Sequence, residues 1–518
     1  MRLIKFKIKN FRGYAKETSI DFDDLTVFIG KNDVGKSTIL EALDIFFNDG
    51  KGTIKFDKSD LNINDRNNGD TETILTAEFA DVPDSIVIDS SATTSLKDEY
   101  LLNENGNLEI VKRYKNGGAE KVYIKAIHPS NSECAELLLK KNAELKKIIK
   151  DHNIECANQT INSVLRKAIW TSFSDSLNLK SAEIDASKED AKKIWEKILC
   201  YLPIYSLFQS DRKNSDSDDE VQDPLKEAVK EILHNTAIQE TLSGVAEEVR
   251  EKLQDVATNT LQKLKELDPD IADSLSPVIP DVQSLKWQDV FKAVSISGDE
   301  DIPINKRGSG VKRLVLLSFF RGEVERRLKS GSNTGVIYAI EEPETSQHEE
   351  NQRKIVDALI KLSGMPNVQV ILTTHSAYVV KQLQYNNLRL ILDEQNSKTV
   401  RNVSPGQLRY PSLNEVNFIA FNEATEEYHD ELYAYIEFQN WKKEFINGKP
   451  TRRYIRQCKG NEVKEEQKVL TEYIRHQIHH PENTLNPRYT HEELRQSIDE
   501  MRDFIQSMGE MPPEPYEN

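Results

Sequence analysis

The pattern of apolar and polar positions at the start of the chain predicts a half-buried strand. Ile4, Phe6 and Ile8 alternate with lysines, which is the two-residue period of a strand with one covered face. A second apolar run, residues 25–29, leads directly into Gly30, and the segment ILEALDIFF a few residues later has helical spacing. The sequence therefore predicts a strand, a glycine-containing loop and a helix in succession.

The loop between this strand and helix, GKNDVGKST (residues 30–38), fits the pattern G-x-x-x-x-G-K-[ST] of a phosphate-binding loop. In such a loop, backbone N–H groups surround the phosphates, the lysine reaches the β and γ oxygens, and the hydroxyl coordinates Mg²⁺. The helix N-terminus adds a partial positive charge. The predicted cofactors are ATP and Mg²⁺, and the nucleotide-binding candidates in the loop are Gly30, Asn32, Gly35, Lys36, Ser37 and Thr38, with Ser37 also a metal ligand.

A second acidic segment has the form of a Walker B motif. The short apolar run 336–340 ends in Glu341-Glu342-Pro343-Glu344. A buried strand that ends in two carboxylates can hold Mg²⁺ with one of them and orient the attacking water with the next. By position, Glu341 is the predicted metal ligand and Glu342 the predicted catalytic residue.

Two further segments are consistent with an ATP site. The apolar run 368–372 ends in the sequence TTHS, which places His375 where a γ-phosphate sensor would lie, one strand-helix-strand unit after Glu342. The sequence RGSG (307–310) precedes an amphipathic run, and Ser309 with Gly310 at a helix N-terminus would form an anion-binding position.

In this order, the motifs resemble the ABC-type ATPase head shared by SMC, RecF and OLD-family proteins, over about residues 1–90 and 290–405. The resemblance implies an α/β P-loop head in which RGSG is the signature motif, EEPETSQH joins Walker B to the D-loop and TTHS is the H-loop. It also implies that Arg12 lies near the nucleotide. Glu341 stands where many members have Asp, and no Q-loop glutamine is identified.

The same resemblance implies self-association. In this class of head, the signature serine faces the γ-phosphate that another subunit's P-loop holds. We therefore expect Ser309 of one copy to complete the ATP site of a second copy, in an ATP-sandwiched homodimer or a higher oligomer.

The intervening and terminal segments complete the predicted domain organisation. We expect an N-terminal lobe of the head (1–127), a mainly helical insertion (128–290), a C-terminal lobe (291–405) and an α-helical C-terminal domain (406–518). The longest helical pattern covers 225–268, and it can form either a short coiled arm or a helix packed on its own domain.

The C-terminal region contains a candidate ribonuclease pair. Arg475 to His480 fits R-[NHD]-x-x-x-H, the active-site pattern of HEPN ribonucleases, in which the arginine would hold phosphate and His480 would act as general acid–base. The alternatives are a helix C-terminus whose histidines suit the helix dipole, or a surface that docks a partner. A zinc site at His476 and His480 lacks a third ligand, and an HNH-nuclease interpretation of HHPEN lacks the flanking ββα pattern. Thr490 and Glu493 form a capping box before a final helix.

Composition limits the partners. The chain has 69 Lys and Arg against 86 Asp and Glu, a net charge of −17, so contact with DNA or tRNA would require a local basic patch. No apolar stretch is long enough to span a bilayer, and the first residues do not form a signal peptide. The four cysteines lie far apart. We expect a cytoplasmic protein with reduced thiols and no membrane contact.

Overall, the chain resembles the stand-alone ATPase subunits of bacterial anti-phage systems, such as the PtuA-like ATPases of Septu and certain retrons and the ATPase of PARIS. These have an OLD-like head, a modest insertion and a separate nuclease, and no Toprim pattern follows residue 376. The resemblance implies an HNH or Toprim effector as partner. Two alternatives are an ATP-gated HEPN ribonuclease of the PrrC and RloC kind, using Arg475 and His480, and a RecF-like DNA-repair ATPase.

Overall fold

The computed structural model describes residues 1–48, 52–89, 92–209, 334–345, 349–394, 397–457 and 462–509, together with scattered helical positions between 238 and 251. The chain divides into two compact units, one comprising Met1–Ser210 with Arg326–Asn518 and the other comprising Asp211–Glu325. The elements given below all belong to the first unit and are numbered over its described residues.

The strands of this unit are β1 (Arg2–Lys9), β2 (Thr18–Asp21), β3 (Leu25–Ile29), β4 (Glu72–Ala80), β5 (Ile86–Asp89), β6 (Ala92–Thr94), β7 (Leu108–Lys115), β8 (Glu120–Pro129), β9 (Leu179–Asp185), β10 (Ile204–Phe208), β11 (Val336–Glu341), β12 (Val368–Thr374), β13 (Leu388–Glu394), β14 (Ser397–Asn402), β15 (Thr451–Gln457) and β16 (Val463–Val469).

The helices are α1 (Lys36–Asn48), α2 (Ile63–Asn67), α3 (Asn142–Asp151), α4 (Asn162–Ser172), α5 (Glu189–Ile198), α6 (Glu349–Ser363), α7 (Ala377–Val380), α8 (Leu413–Phe421), α9 (Glu426–Phe438), α10 (Lys442–Ile446), α11 (Leu470–His479) and α12 (His491–Ser507).

A parallel sheet carries the predicted motifs. Its strand order is β10-β11-β12-β3-β13-β14, and all neighbours pair in parallel except β13 and β14. Every residue of β3, β11 and β12 is buried, as expected of central strands covered on both faces. The strand that precedes the phosphate-binding loop is thus separated from the strand that ends in the paired carboxylates by β12 alone.

A second, antiparallel sheet has the order β2-β1-β4-β7-β8-β9. Its strand β1 confirms the alternation predicted from the sequence for Phe6 and Ile8, which are fully buried. Ile4 was also expected on the covered face, but Leu3 is buried instead. The reason is a register shift between Leu3 and Lys5 in the pairing of β1 with β4, because an extra residue at a bulge moves the alternation to the other face.

Helix α1 packs against strands of both sheets. Phe46 meets the ring of Phe6 in β1 edge-on at 5.6 Å, and the next residue, Phe47, stacks on Tyr205 in β10 at 5.4 Å. The Tyr205 hydroxyl donates a hydrogen bond of 2.6 Å to the Leu40 carbonyl of the helix. The start of α1, and with it the phosphate-binding loop, is therefore fixed by a shared apolar core.

The structure extends the head beyond the expected boundary at residue 127. Strand β9 completes the antiparallel sheet and β10 forms an edge of the parallel sheet, although both lie in the range 128–290 that we expected to be mainly helical. Helices α3, α4 and α5 do lie in that range. The two strands gain their stability from partners distant in sequence, which local helical spacing does not reveal.

The C-terminal region has its own apolar core, which contains Tyr428, Leu432, Ile436, Ile474, Ile498 and Met501. The capping box predicted at Thr490 and Glu493 is present. The region was expected to be α-helical over 406–518. Residues 463–469 instead form β16, which pairs with β15 in an antiparallel hairpin. Cross-strand pairing decides the conformation of this charged segment.

Several sequence predictions fall outside the described residues. They are the signature segment with Ser309 and Gly310, residues 346–348 of the D-loop segment, and most of the helical pattern 225–268. None of the described helices is long and apolar enough to cross a membrane.

Candidate functional site

The carboxyl ends of three neighbouring strands bring the sequence-predicted site residues to one edge of the parallel sheet. In the strand register, Glu341 of β11 is opposite Thr373 of β12, and Thr374 is opposite Ile29 of β3. Gly30 and His375 therefore follow the ends of adjacent strands, with the acidic pair next to them. Ligands of open α/β sheets bind at this edge.

The phosphate-binding loop depends on its glycines. Gly30 and Gly35 have φ of 151° and 101°, in the region that residues with a Cβ rarely adopt. A Cβ on Gly30 would lie 2.9 Å from the Val34 side chain and 3.0 Å from the Ile391 carbonyl. The Tyr14 hydroxyl donates to the Gly35 carbonyl at 3.0 Å. Backbone conformation and close packing together therefore require glycine at both positions.

Lys36, the first residue of α1, folds back over this loop. Its Nζ donates hydrogen bonds to the carbonyls of Gly30 at 2.9 Å and Lys31 at 3.0 Å. Burial lowers the pKa of Lys36, and the nearby carboxylates of Glu342 and Glu344 oppose that decrease. The ammonium group is thus held inside the loop, where a phosphate oxygen would be a stronger, charge-assisted acceptor than a carbonyl.

Glu342 and His375 form a direct pair. His375 Nδ1 lies 3.1 Å from Oε1 of Glu342, and the Thr345 hydroxyl donates to Oε2 at 3.3 Å. Glu342 has a φ of 40°, an unusual value for a residue with a side chain. Its backbone N–H bonds the carbonyl and the hydroxyl of Thr373 at 3.0 and 3.2 Å. Strained backbone held by neighbouring contacts is typical of active sites.

Glu344, the last carboxylate of the same segment, is buried beneath this pair. Its Oε1 accepts hydrogen bonds from the Thr374 hydroxyl at 2.5 Å and from the His375 backbone N–H at 3.1 Å. Its Oε2 is buried and has no hydrogen-bond partner among the described residues. Sequence reasoning gave this residue no role, because its partners lie on another strand.

The position of Arg12 near a nucleotide stays a prediction. In the structure, Arg12 lies beside α1 and is already paired. Its Nε donates to Asp60 at 2.8 Å, and its Nη1 bonds Glu41 in the second turn of α1. The same Glu41 carboxylate accepts a hydrogen bond of 3.4 Å from the side chain of Gln209. Arg12 is thus linked to the nucleotide-binding loop through Glu41.

Gln209 is a candidate that sequence reasoning missed. It follows β10, the strand next to β11, and therefore lies at the same sheet edge as Glu341. The sequence feature that could have identified it is the short apolar run IYSLF, which directly precedes this glutamine. It was overlooked because the run lies within a range assigned to the helical insertion.

The residues at this edge fit ATP with Mg²⁺. Gly30 and Gly35 permit the backbone conformation of the loop, and Lys36 supplies the positive charge. The described residues contain no group of three or more His, Cys, Asp or Glu that could hold a metal ion by themselves. A magnesium ion would therefore depend on phosphate oxygens together with Ser37 and Glu341, and oxygen donors of this kind suit it.

The candidate ribonuclease pair faces two different neighbours. Arg475 is directed at α9, where its guanidinium lies 4.2 Å from the Tyr433 ring centroid and bonds Glu437. His480 bonds Glu482 at 3.1 Å and stacks on His476, whose other neighbour is Tyr454 in β15. Arg475 and His480 thus have different partners in this structure, and their ribonuclease role stays a prediction.

The loop, the paired carboxylates and the sheet order define a P-loop ATPase. The predicted fold class is confirmed as an α/β P-loop ATPase fold with helical regions. The AAA ATPase domain family matches residues 1–380 of the chain, which is more than half of its length, and the chain therefore belongs to that family.

Three solved structures illustrate the structural likeness. The "SMC head domain from Thermotoga maritima" is 13% identical with a TM-score of 0.33, covering 78% of this chain and 100% of that one. An "SmcHead bound to the C-winged helix domain of ScpA" is 12% identical with a TM-score of 0.38, covering 79% and 99%. An Smc head with an extended coiled coil, bound to the C-terminal domain of ScpA derived from Pyrococcus furiosus, is 13% identical with a TM-score of 0.33, covering 78% and 96%. These values carry no conclusion about function, and no curated protein sequence matches the chain.

Proposed function

We propose that the chain binds ATP with Mg²⁺ at the carboxyl edge of its parallel sheet and hydrolyses it. The observation that carries this proposal is the pairing of Glu342 with His375 beside the loop of Lys36. In this proposal Lys36 binds the β- and γ-phosphates, while Ser37 and Glu341 hold the metal ion. Bound Mg²⁺ would neutralise the charge that develops on the phosphate oxygens.

Glu342 is the proposed group that orients the attacking water. Its Oε1 lies 3.1 Å from His375 Nδ1 and its Oε2 accepts from the Thr345 hydroxyl, so both oxygens are at positions that donors can reach. When ATP is bound, His375 donates to the γ-phosphate and releases one oxygen of Glu342 for the water. Positioning and charge stabilisation supply most of the catalysis in phosphoryl transfer. Gln209 and Arg12 both bond the Glu41 carboxylate and so help to hold α1 in place.

The complete site in this proposal contains two copies of the chain. By the resemblance to ABC-type heads, Ser309 and Gly310 of one copy bind the γ-phosphate held by the Lys36 loop of the other. ATP then favours the dimer because it binds the associated state more tightly, and hydrolysis returns the chains to monomers.

The proposed biological role is control of a separate nuclease in bacterial antiviral defence. It is supported by the resemblance to stand-alone ATPase subunits and by the C-terminal region, where the contacts of Arg475 are those of a packed side chain. That region is then a docking module for an effector of the HNH or Toprim type. Duplex DNA or tRNA would be a substrate of the assembled system.

The test begins with the purified chain and its Lys36→Ala and Glu342→Gln variants. Phosphate release is measured with MgATP, and cleavage of total tRNA and duplex DNA is measured with and without ATP. We expect ATP hydrolysis by the wild type alone and no nucleic-acid cleavage by any of the three. Wild-type hydrolysis by both variants would overturn the assigned site, and ATP-dependent cleavage by the chain itself would overturn the separate-nuclease role.

A further inference from the structure

Glu344 has no part in the hydrolysis described above, yet it is the most deeply buried carboxylate beside the Glu342–His375 pair. Its side chain is 3% exposed, against 27% for Glu342. Burying a carboxylate is unfavourable unless hydrogen-bond donors compensate for the loss of water. The donors that reach Glu344 therefore indicate what the residue does.

Both of those donors lie at the carboxyl end of β12, where Thr374 is the last residue of the strand and His375 follows it. The Thr374 hydroxyl and the His375 backbone N–H converge on Oε1 of Glu344, at 2.5 and 3.1 Å. The Thr374 oxygen in turn accepts the Ser376 N–H at 3.0 Å. One carboxylate oxygen of the β11 segment thus holds three consecutive residues at the end of the neighbouring strand.

The consequence for the His375 ring is geometric. Its Nδ1 lies 3.1 Å from Glu342 and 3.8 Å from the Glu344 oxygen that holds its own backbone. We infer that Glu344 is a positioning residue, which fixes the backbone of His375 so that the imidazole faces the Glu342 carboxylate and the γ-phosphate position. This inference rests on the proposed ATPase function.

The inferred role predicts a particular kinetic signature. Misplacing a reacting group by about 1 Å can lower a rate by roughly 100-fold, whereas ATP affinity comes mainly from the loop of Lys36. Loss of the Glu344 hydrogen bonds should therefore lower kcat by about 10- to 100-fold and change the Kd for ATP by less than about 3-fold. A catalytic defect without a binding defect distinguishes positioning from general damage to the site.

The test uses Glu344→Ala, which removes the acceptor, and Glu344→Gln, which retains an acceptor oxygen of similar size. Thr374→Val removes one donor and leaves the carboxylate in place. Asp357→Asn, on the exposed face of α6, is the matched control for loss of an acidic group. For each chain we measure kcat with MgATP, the Kd for a fluorescent ATP analogue, and the thermal midpoint. The double variant Glu344→Ala with Thr374→Val completes a double-mutant cycle, which measures the coupling between the two residues in kcat.

We expect Glu344→Ala and Thr374→Val each to lower kcat, Glu344→Gln to stay within about 5-fold of the wild type, and the double variant to be no worse than the poorer single one. A wild-type kcat in Thr374→Val overturns the inference, and this test holds even if Glu344→Ala does not fold. The inference is also overturned if the fold-decreases in kcat of the two single variants multiply in the double variant. If Lys36→Ala and Glu342→Gln lose hydrolysis while these variants keep it, only this inference fails. If those two keep hydrolysis as well, the proposed function fails.

Discussion

The Nδ1 atom of His375 lies 3.1 Å from Oε1 of Glu342, although the two residues follow different strands of the parallel sheet. The pair forms because Glu341 and Thr373 are opposite each other in the strand register, which brings the next residues of both strands together. In the proposed mechanism, this contact keeps the water-orienting carboxylate in place until ATP arrives.

Replacing Glu342 with Gln should separate ATP binding from hydrolysis. The amide keeps the size of the side chain but cannot attract the proton of the attacking water, so we expect kcat to fall at least ~100-fold. ATP affinity should stay within about 3-fold of the wild type, since Lys36 is unchanged. With MgATP, light scattering should show a species of twice the 59.3 kDa chain mass. A variant that hydrolyses ATP like the wild type contradicts the assignment.

Replacing Lys36 with Ala should abolish tight ATP binding. The ammonium group would exchange two carbonyl acceptors for phosphate oxygens, and loss of a charged hydrogen bond of this kind weakens binding by about 10- to 100-fold. Equilibrium titration with a fluorescent ATP analogue measures the change. Lys55→Ala, an exposed lysine, is the control for loss of one positive charge. Equal affinities in the two variants would show that the loop of Lys36 is not the phosphate site.

A buried ion triad of Arg166, Glu99 and Asp190 should contribute strongly to the stability of the first compact unit. Arg166 is fully buried and donates to Glu99 at 2.7 and 2.8 Å, and it also pairs with Asp190. Arg166→Met would leave the buried Glu99 without its cation and Asp190 with Lys193 alone, which costs about 3–5 kcal/mol. Arg113→Met, which breaks more exposed pairs with Glu72 and Glu183, should cost less than about 1 kcal/mol.

Urea unfolding followed by circular dichroism measures both free energies for the Arg166 and Arg113 variants. Adding Glu99→Gln and Asp190→Asn to Arg166→Met should recover part of the lost stability. Equal effects of the Arg166 and Arg113 substitutions would mean that burial does not decide the strength of these pairs.

The two residues of the candidate ribonuclease pair should differ in their effect on stability. Arg475→Ala loses the contact with the Tyr433 ring and the pairing with Glu437, and we expect a loss of about 1–2 kcal/mol. His480→Ala removes an exposed side chain and should change the free energy of unfolding by less than about 0.5 kcal/mol. Thermal and urea unfolding test both. Cleavage of tRNA by the wild type that His480→Ala abolishes would instead support the ribonuclease.

Acidification should destabilise the C-terminal region through His429. Burial is the main cause that lowers the pKa of His429 to about 4 from its usual 6.5, with Asp430 opposing and Arg475 adding to the decrease. The Nε2 atom is 3.0 Å from the Ser497 hydroxyl. Because the unfolded chain takes up the proton between pH 6.5 and about 4 and the folded chain does not, stability falls as the pH decreases through that window.

The expected loss from His429 is about 2 kcal/mol between pH 7 and pH 5. Urea unfolding at the two pH values, followed by circular dichroism, measures it. His429→Gln should reduce the dependence, whereas His491→Gln, an exposed histidine at the start of α12, should leave it unchanged. The same pH dependence in His429→Gln and the wild type would show that another group is responsible.

The sequence by itself determined the parts of the molecule that depend on neighbouring residues. Local sequence patterns were sufficient for three features: the loop of Gly30 to Lys36, the buried strands that lead into Glu342 and His375, and the capping box of Thr490. Turn geometry, a two-residue or helical period and a side-chain cap each depend on a few neighbouring residues, so the local sequence predicts the conformation.

Only the tertiary structure decided the features that depend on pairing between distant segments. Strands β9, β10 and β16 lie in runs that we assigned to helices, and they are strands because β8, β11 and β15 supply hydrogen-bonding edges. For the same reason Gln209 and Glu344 had no assigned role. Long-range pairing outweighs local preference, since a strand is stabilised by its neighbours in the sheet.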